Sequence, residues 1–396
     1  MEFSISSRAK KVILSVGVSG LILAIIGMLY HGNEEHSLLQ RVMANLLLDG
    51  FFFFAIGLGA LFFLALSYAT EAGWYVYIKR MLEAMSGYLP VGGAILILIF
   101  LAFVFTDGAH VYLWMDPEVV SQDPIIEGKS SFLNKPFFII RSLIYIGVFV
   151  WFFIGFRKRS LQEDIEGGTA LHFKNFKKGA TFLVFFAVFS SIFSWDWLMS
   201  VDVHWFSTLF GWYVFAGVWC SSMVVLMMLL LYLRGKGLMP KLNDSHIHDV
   251  GKWIFATSFL WSYLFFSQLM LYWYANIPEE VIYYYERIHE FKFLFFGMFL
   301  INFALPMVLL MSREAKRHAG ILTVVGGIIL VGHWVDVFVM IAPAGIGPHA
   351  AITALEIGLF LFFGALFTYV VLKTLSKAPL VPQKHPMLDE SIHHEI

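Results

Sequence analysis

Charge is scarce in this chain. Of 396 residues only 14% are Asp, Glu, Lys or Arg, whereas 59% are hydrophobic and 18% aromatic, and the mean hydropathy of +0.76 lies outside the range of soluble domains. Lys plus Arg (27) nearly balance Asp plus Glu (28), so net charge argues neither for nucleic acid nor for an acidic substrate. The single cysteine, Cys220, excludes an internal disulfide, an iron–sulfur cluster held by this chain alone and every multi-cysteine zinc site. No G-x-x-x-x-G-K-S/T loop and no Gly-rich nucleotide fingerprint occurs, which excludes a pump driven by the chain's own nucleotide hydrolysis. A haem b held between helices needs two deep histidines, and His333 alone is deep; His31, His110, His204, His289 and His349 fall toward helix ends.

Long apolar runs are what the chain has in abundance. A bilayer crossing takes about 20 residues, and suitable runs fall near 12–30, 43–67, 89–106, 137–156, 180–200, 207–233, 252–275, 291–311, 320–342 and 350–373. Runs of this length predict an all-α, polytopic membrane protein of ten transmembrane helices, because lipid cannot satisfy an open sheet edge and barrel strands are half as long. The basic N-terminus (Arg8, Lys10, Lys11) leads into the first run without a small-residue cleavage site, which reads as a retained helix. Alternate loops hold 21 of the 27 basic residues against 5 on the other side, so the positive-inside rule predicts both termini in the cytoplasm. Twelve carboxylates leave the outer loops near −7, either as a remainder of that rule or as a docking face for extracytoplasmic partners. Residues 69–88, with Trp74, Tyr75 and Tyr77 beside Lys79, Arg80 and Glu83, predict an interfacial helix. The tail from 374, with Pro379, Pro382 and Pro386, predicts a flexible, partner-facing end.

Helices 2–5 and 6–9 have the same in/out order, and each set ends on a Trp–acid pattern: Trp195 and Asp196, then Trp334 and Asp336. Two four-helix bundles (43–206 and 207–349), flanked by helix 1 (1–42) and by helix 10 with its tail (350–396), fit that order. A shared interfacial aromatic belt places Trp there without any repeat.

An ionisable group in the bilayer core costs roughly 2.5 to 3.5 kcal/mol and needs a partner, water or a role. The candidates are Asp49, Arg141, Asp196, His333, Asp336 and Glu356. At about 1.5 Å per residue all six fall in the outer half. Arg141 suits pairing with a carboxylate, and His333 alone suits a satisfied core position; four carboxylates against one Arg nonetheless leave at least three without a fixed cation. Such a surplus, gathered at one level, fits an outer-half proton path or a cavity where a quinol gives up its protons. Toward the cytoplasm there are only hydroxyls, a tyrosine and amides, including Ser221, Ser258, Gln268 and Asn302. They suit either a water wire or ordinary helix packing.

The segment Ser194–Thr208, SWDWLMSVDVHWFST, followed by Phe210-Gly211-Trp212-Tyr213-Val214-Phe215-Ala216-Gly217, resembles the ActF subunit family of alternative complex III, the bacterial quinol:cytochrome c oxidoreductase unrelated to the bc1 complex. The helix count, termini and length are similar over the whole chain. The resemblance implies kinship with the NrfD/PsrC (polysulfide reductase-like) membrane subunits and a place in the bacterial inner membrane. It implies a sister quinol-binding subunit, an extracytoplasmic iron–sulfur protein and cytochrome c subunits, whose haems and clusters supply the metals missing here. The sister subunit is then the better candidate for quinol oxidation, and this subunit, with no metal of its own, has a quinone-binding or proton-conducting role. Asp196, Asp202 and His204 lie within the matching segment. Two rivals remain: a purely structural anchor, and a secondary transporter, for which an inverted repeat and midplane charges are the mark.

Overall fold

The computed structural model describes residues 3–31, 38–348 and 350–395; Glu34 and Glu35, two of the twelve outer-loop carboxylates, and His349, placed above toward a helix end, lie outside the described residues. Among the described residues there is no β-strand, and ten helices are long and apolar enough to cross a membrane. The protein is an all-α, multi-pass membrane protein. The spans are α1 Ser7–His31, α2 Leu38–Ala69, α3 Val76–Phe105, α4 Lys135–Glu166, α5 Ala170–Val201, α6 Phe210–Gly235, α7 Asp244–Ala275, α8 Lys292–Leu309, α9 Ala319–Gly345 and α10 Ala354–Leu375. Helices suit the environment because each satisfies its own backbone groups where lipid offers no partner. The side that carries the basic loops is called the basic end below, and the opposite side the acidic end.

Packing closes two rings of four helices, α2–α5 and α6–α9, which meet where α2 lies on α6 and α9 and where α5 lies on α6. The apolar stretch of α2 is 89% buried and that of α9 72%, against 17% for α1, so α2 and α9 form the centre and α1 the rim. Helices in lipid gain nothing from burying apolar surface against each other, so close approach through small residues matters instead. A Cβ at Gly59 of α2 would collide with the Ser222 hydroxyl of α6, and that hydroxyl donates across the seam to Ile56 O at 2.9 Å. Outside the rings α1 packs on α10, where a Cβ at Gly20 would stand 2.7 Å from Gly358 O.

Two expectations fail at the basic end. Residues 79–86 do not form an interfacial helix with a wet face: Lys79, Arg80 and Glu83 are all buried. Their charges turn inward because α4 supplies complements. Lys79 Nζ lies 3.1 Å from Glu163 Oε2, Arg80 Nη1 2.7 Å from Glu83 Oε2, and Ser160 donates to Glu83 Oε1 at 2.5 Å. Arg157 and Asp164 close the network onto Glu83 and Arg80. The C-terminal tail is not free either. It straps this network, with Leu380 and His385 buried, Gln383 N donating to Asp164 Oδ1 at 2.9 Å and Ser391 Oγ to Trp74 O at 2.6 Å, and His394 Nε2 2.6 Å from Asp249 Oδ2. Pro379, Pro382 and Pro386 keep the strap extended rather than helical.

Burial, with Lys79 and His172 beside it, pushes the His385 imidazole down to about 2, against the pull of Glu83. A lifted tail returns the ring to about 6.5, so docking is complete above that pH and weakens as pH falls, by about tenfold per unit. Limited proteolysis of the tail should therefore accelerate about tenfold from about pH 6 to about pH 5. In His385→Leu that acceleration should vanish; an identical pH response in both proteins sinks the assignment.

Candidate functional site: the polar core of the second ring

All four helices of the second ring contribute to one buried polar cluster. Asp336 of α9 lies about 14 Å from the acidic end of its helix. Its Oδ1 accepts from the Tyr213 hydroxyl of α6, and its Oδ2 from Trp261 Nε1 of α7 at 2.8 Å. His333, one turn toward the basic end on the same face, places Nδ1 3.9 Å from Asp336 Oδ2. The ring stands edge-on to Trp261 at 5.4 Å, and neither ring nitrogen has a hydrogen-bond partner among the described residues. Gly217 of α6 leaves the imidazole its space, since a Cβ there would meet Nδ1 at 3.4 Å.

The eighth helix enters through a defect. Pro306 has no N–H to offer the carbonyl of Asn302, four residues back, and α8 widens into a π turn over Leu300–Ala304. That turn aims the Asn302 side chain inward, fully buried, with neither amide atom hydrogen-bonded among the described residues. A Cβ at Gly332 would overlap Asn302 Oδ1, so the amide lies against the backbone next to His333. Cys220 Sγ and Ser258 Oγ, 3.4 Å apart, continue the cluster from α6 and α7. Between α2, α6 and α9 a small cavity of about 20 Å³ is lined by His333, Asp336, Ser221 and apolar side chains. A cavity needs roughly 10–15 Å³ to hold a water, so this one has room for one.

The roof of the cluster is built from another proline. Pro343 inside α9 leaves the carbonyl of Val339 without its helical donor. Arg287, fully buried on the connecting helix Pro278–His289, supplies the replacement: Nε to Val339 O at 3.1 Å and Nη2 to Met340 O at 3.2 Å. Its guanidinium lies 3.3 Å over the Tyr283 ring, which in turn stacks on Trp205 at 3.7 Å. Asp202 Oδ2 sits 3.7 Å from Arg287 Nη1. Burial raises the Asp202 carboxyl above the ordinary range, with Arg287, His204 and Lys129 opposing.

The other sequence-predicted residues do not join this enclosure. Arg141 grips Asp196 with two hydrogen bonds, Nε to Oδ2 at 2.8 Å and Nη2 to Oδ1 at 2.7 Å, and Tyr145 adds a third at 3.0 Å. Glu356 is the third residue of α10, where it closes a capping box with Thr353 and accepts from Arg41 Nε at 2.9 Å and Asn45 Nδ2 at 3.0 Å. Asp49 accepts from Trp334 Nε1 at 2.9 Å, and its Oδ2 has no partner among the described residues. His204 is half exposed, with Nε2 2.6 Å from Asp123 Oδ2. The expected surplus of three unpaired carboxylates is therefore too large. Arg41, one of the five basic residues counted on the outer side, lies on α2 and neutralises Glu356, and the single shared cavity resolves into separate local networks.

Arg287, not singled out in the sequence, and Asn302, read there as a wire or packing amide, are the residues the polar core adds. The signal was present as Pro343 and Pro306, each of which frees a carbonyl inside an apolar run. As to cofactors, Glu163, His172 and His385 bring ligand atoms within 4.8 Å of one another. Lys79 already donates to Glu163 there, and the Met387 N–H points at His385 Nδ1 at 3.2 Å, so an ammonium takes the cation's place. The cavity beside His333, about 20 Å³, does not fit a quinone ring, since small-molecule sites take roughly 300–1,000 Å³. No protein-family model matches this chain, and no curated protein matches it.

The Arg141–Asp196 pair carries a direct prediction. Arg141→Met strands a buried carboxylate and should cost about 3–5 kcal/mol, while Arg141→Met with Asp196→Leu should recover most of that loss. Thermal unfolding in detergent micelles measures both; equal losses in the single and double variants would contradict the pairing.

Proposed function

We propose that this chain is a metal-free membrane subunit of a respiratory quinol:cytochrome c oxidoreductase of the alternative complex III type, in a bacterial inner membrane, and that its second helix ring conducts protons. The observation that carries the proton role is the buried pair His333–Asp336, whose carboxylate is held by two neutral donors, Tyr213 and Trp261. The membership itself rests on the resemblance of Ser194–Thr208 to the ActF subunit family.

A carboxylate hydrogen-bonded to a phenol and an indole, with no Arg or Lys in its grip, can exchange a proton with His333, 3.9 Å away. His333 can accept a proton on one ring nitrogen and release one from the other. A proton arriving by way of Ser258 and Cys220 passes to His333, then through one water in the adjoining cavity to Asp336. Asp202 collects it at the acidic end. Arg287, 3.7 Å from Asp202, holds that carboxylate in place beneath the acidic end.

In this reading quinol oxidation belongs to the sister quinol-binding subunit, since the cavity beside His333 does not fit the ring. The haems and iron–sulfur clusters sit in the cytochrome c and extracytoplasmic iron–sulfur partners. A purely structural anchor is the competing reading, favoured by the mutually neutralised Arg141–Asp196 and Arg41–Glu356 pairs.

Replacing Asp336 with Asn, and separately His333 with Gln, in the intact complex reconstituted in vesicles distinguishes the two. A conductor loses proton release on the acidic side or turnover by about 10²-fold, the scale of a lost proton-transfer group, with unfolding temperature kept. Full quinol:cytochrome c turnover and full proton release in both variants would leave the anchor reading standing.

A further inference from the structure

The rim helix α1 meets the body of the protein unevenly. In its acidic half it lies against α10 with no space between the backbones. Gly20 faces Gly358 O, a Cβ on Gly358 would overlap Ala24 N, and one on Gly27 would overlap Leu355 N. Toward the basic end the helices part, and a groove of about 650 Å³ opens between α1, α2, α6 and α10. Its walls are apolar, among them Val12, Val16, Phe53, Met228 and Phe360.

Polar groups gather at one place. Ser6 and Arg8 at the start of α1, and Tyr232 and Lys236 at the end of α6, line the groove at its basic end. Thr368 also lines it but spends its hydroxyl on Gly364 O at 2.8 Å. No carboxylate and no histidine is among the lining residues. Nearby Arg234 pairs with Asp244 at 2.8 Å, whereas Arg8 and Lys236 have no carboxylate within ion-pair distance among the described residues.

We propose that this groove seats one acyl chain of an anionic phospholipid, with the phosphate held at its mouth by Arg8 and Lys236. Three features select that occupant. From Arg8 to Val16 the groove runs about 12 Å, close to one leaflet of a hydrocarbon core about 30 Å thick. A partner helix about 10 Å across would need roughly 940 Å³ along that length, more than the groove's 650 Å³, and a proton-donating quinol would need an acceptor that the walls lack. Arg8 and Lys236, with no carboxylate within ion-pair distance among the described residues, favour a phosphate over a choline or ethanolamine ammonium. The occupant also explains how α1 stays on the bundle where protein contact is missing, since an unfilled gap forfeits dispersion contacts along both walls. This inference stands apart from the proton path and from membership of any complex.

The test uses the full-length protein in detergent. Native mass spectrometry after delipidation and re-addition of phosphatidylglycerol or phosphatidylcholine reads occupancy, and unfolding temperature reads the effect. The wild type should retain one phosphatidylglycerol in preference to phosphatidylcholine and gain thermal stability from it. Arg8→Gln with Lys236→Gln, both at the exposed mouth, should lower that preference by about 30-fold. Met228→Trp, which fills the groove wall, should lower retention of both lipids. Equal retention of the two lipids, no response to the double substitution, or retention that persists in Met228→Trp overturns the proposal, and so does a peptide helix co-purifying in place of lipid.

Discussion

The constraint on which the rest depends is that lipid supplies no hydrogen bonds. Every polar atom between the two faces must be satisfied by protein or trapped water, or be left costly. The consequences are visible wherever a helix is interrupted. Pro343 removes a donor, and the resulting free carbonyl is met by a fully buried arginine from a connecting helix. Pro306 removes another, and the backbone answers with a π turn that rotates Asn302 into the core. In both cases the repair brings a polar side chain to the interior that no apolar stripe would have placed there.

The same constraint sorts the buried charges. Arg141 with Asp196 and Arg41 with Glu356 are closed systems: each carboxylate has a cation and further donors, and neither has reason to change state. Lys79, Arg80, Glu83, Arg157, Glu163 and Asp164 form a larger closed system at the basic end. Such networks hold helices in register at little net gain in stability, because desolvation offsets most of the attraction. Among the described residues the buried atoms left without a hydrogen-bond partner include Asp49 Oδ2, both His333 ring nitrogens and the Asn302 amide, and also the Tyr68, Tyr75 and Tyr88 hydroxyls, Glu163 Oε1 and Gln268 Oε1.

Most of the architecture was legible as apolar length. Ten runs became ten helices, with boundaries displaced where polar residues extend a helix beyond the apolar stretch; α2 begins at Leu38 rather than 43 for this reason. Depth was less legible. Glu356 reads as a buried charge by counting along a run, yet it is the N3 residue of a capping box. Arg41 reads as a loop residue, yet it lies one helical turn from Asn45 and reaches Glu356. Partner identity could not be read at all from one strand of sequence, because Lys79 meets Glu163 across 84 positions and Arg41 meets Glu356 across 315. The tail misled through composition: three prolines look mobile, but shape and charge on the basic face decide where they rest.

The two rings make the clearest contrast. Asp196 ends the fourth helix of the first ring, and Asp336 lies in the fourth helix of the second, each near a tryptophan and each fully enclosed. Asp196 is met by a guanidinium in a two-point grip; Asp336 is met by a phenol and an indole, which stabilise negative charge without cancelling it. A proton added to Asp196 would have to displace part of an ion pair in a medium of low dielectric, and such exchange is slow and unfavourable. A proton added to Asp336 merely reverses one hydrogen bond, with His333 in reach as the other party. If the rings descend from one unit, the two carboxylates differ by a single guanidinium, and on the proposed proton role a cation supplied opposite Asp336 should close that cluster as Arg141 closes the one around Asp196.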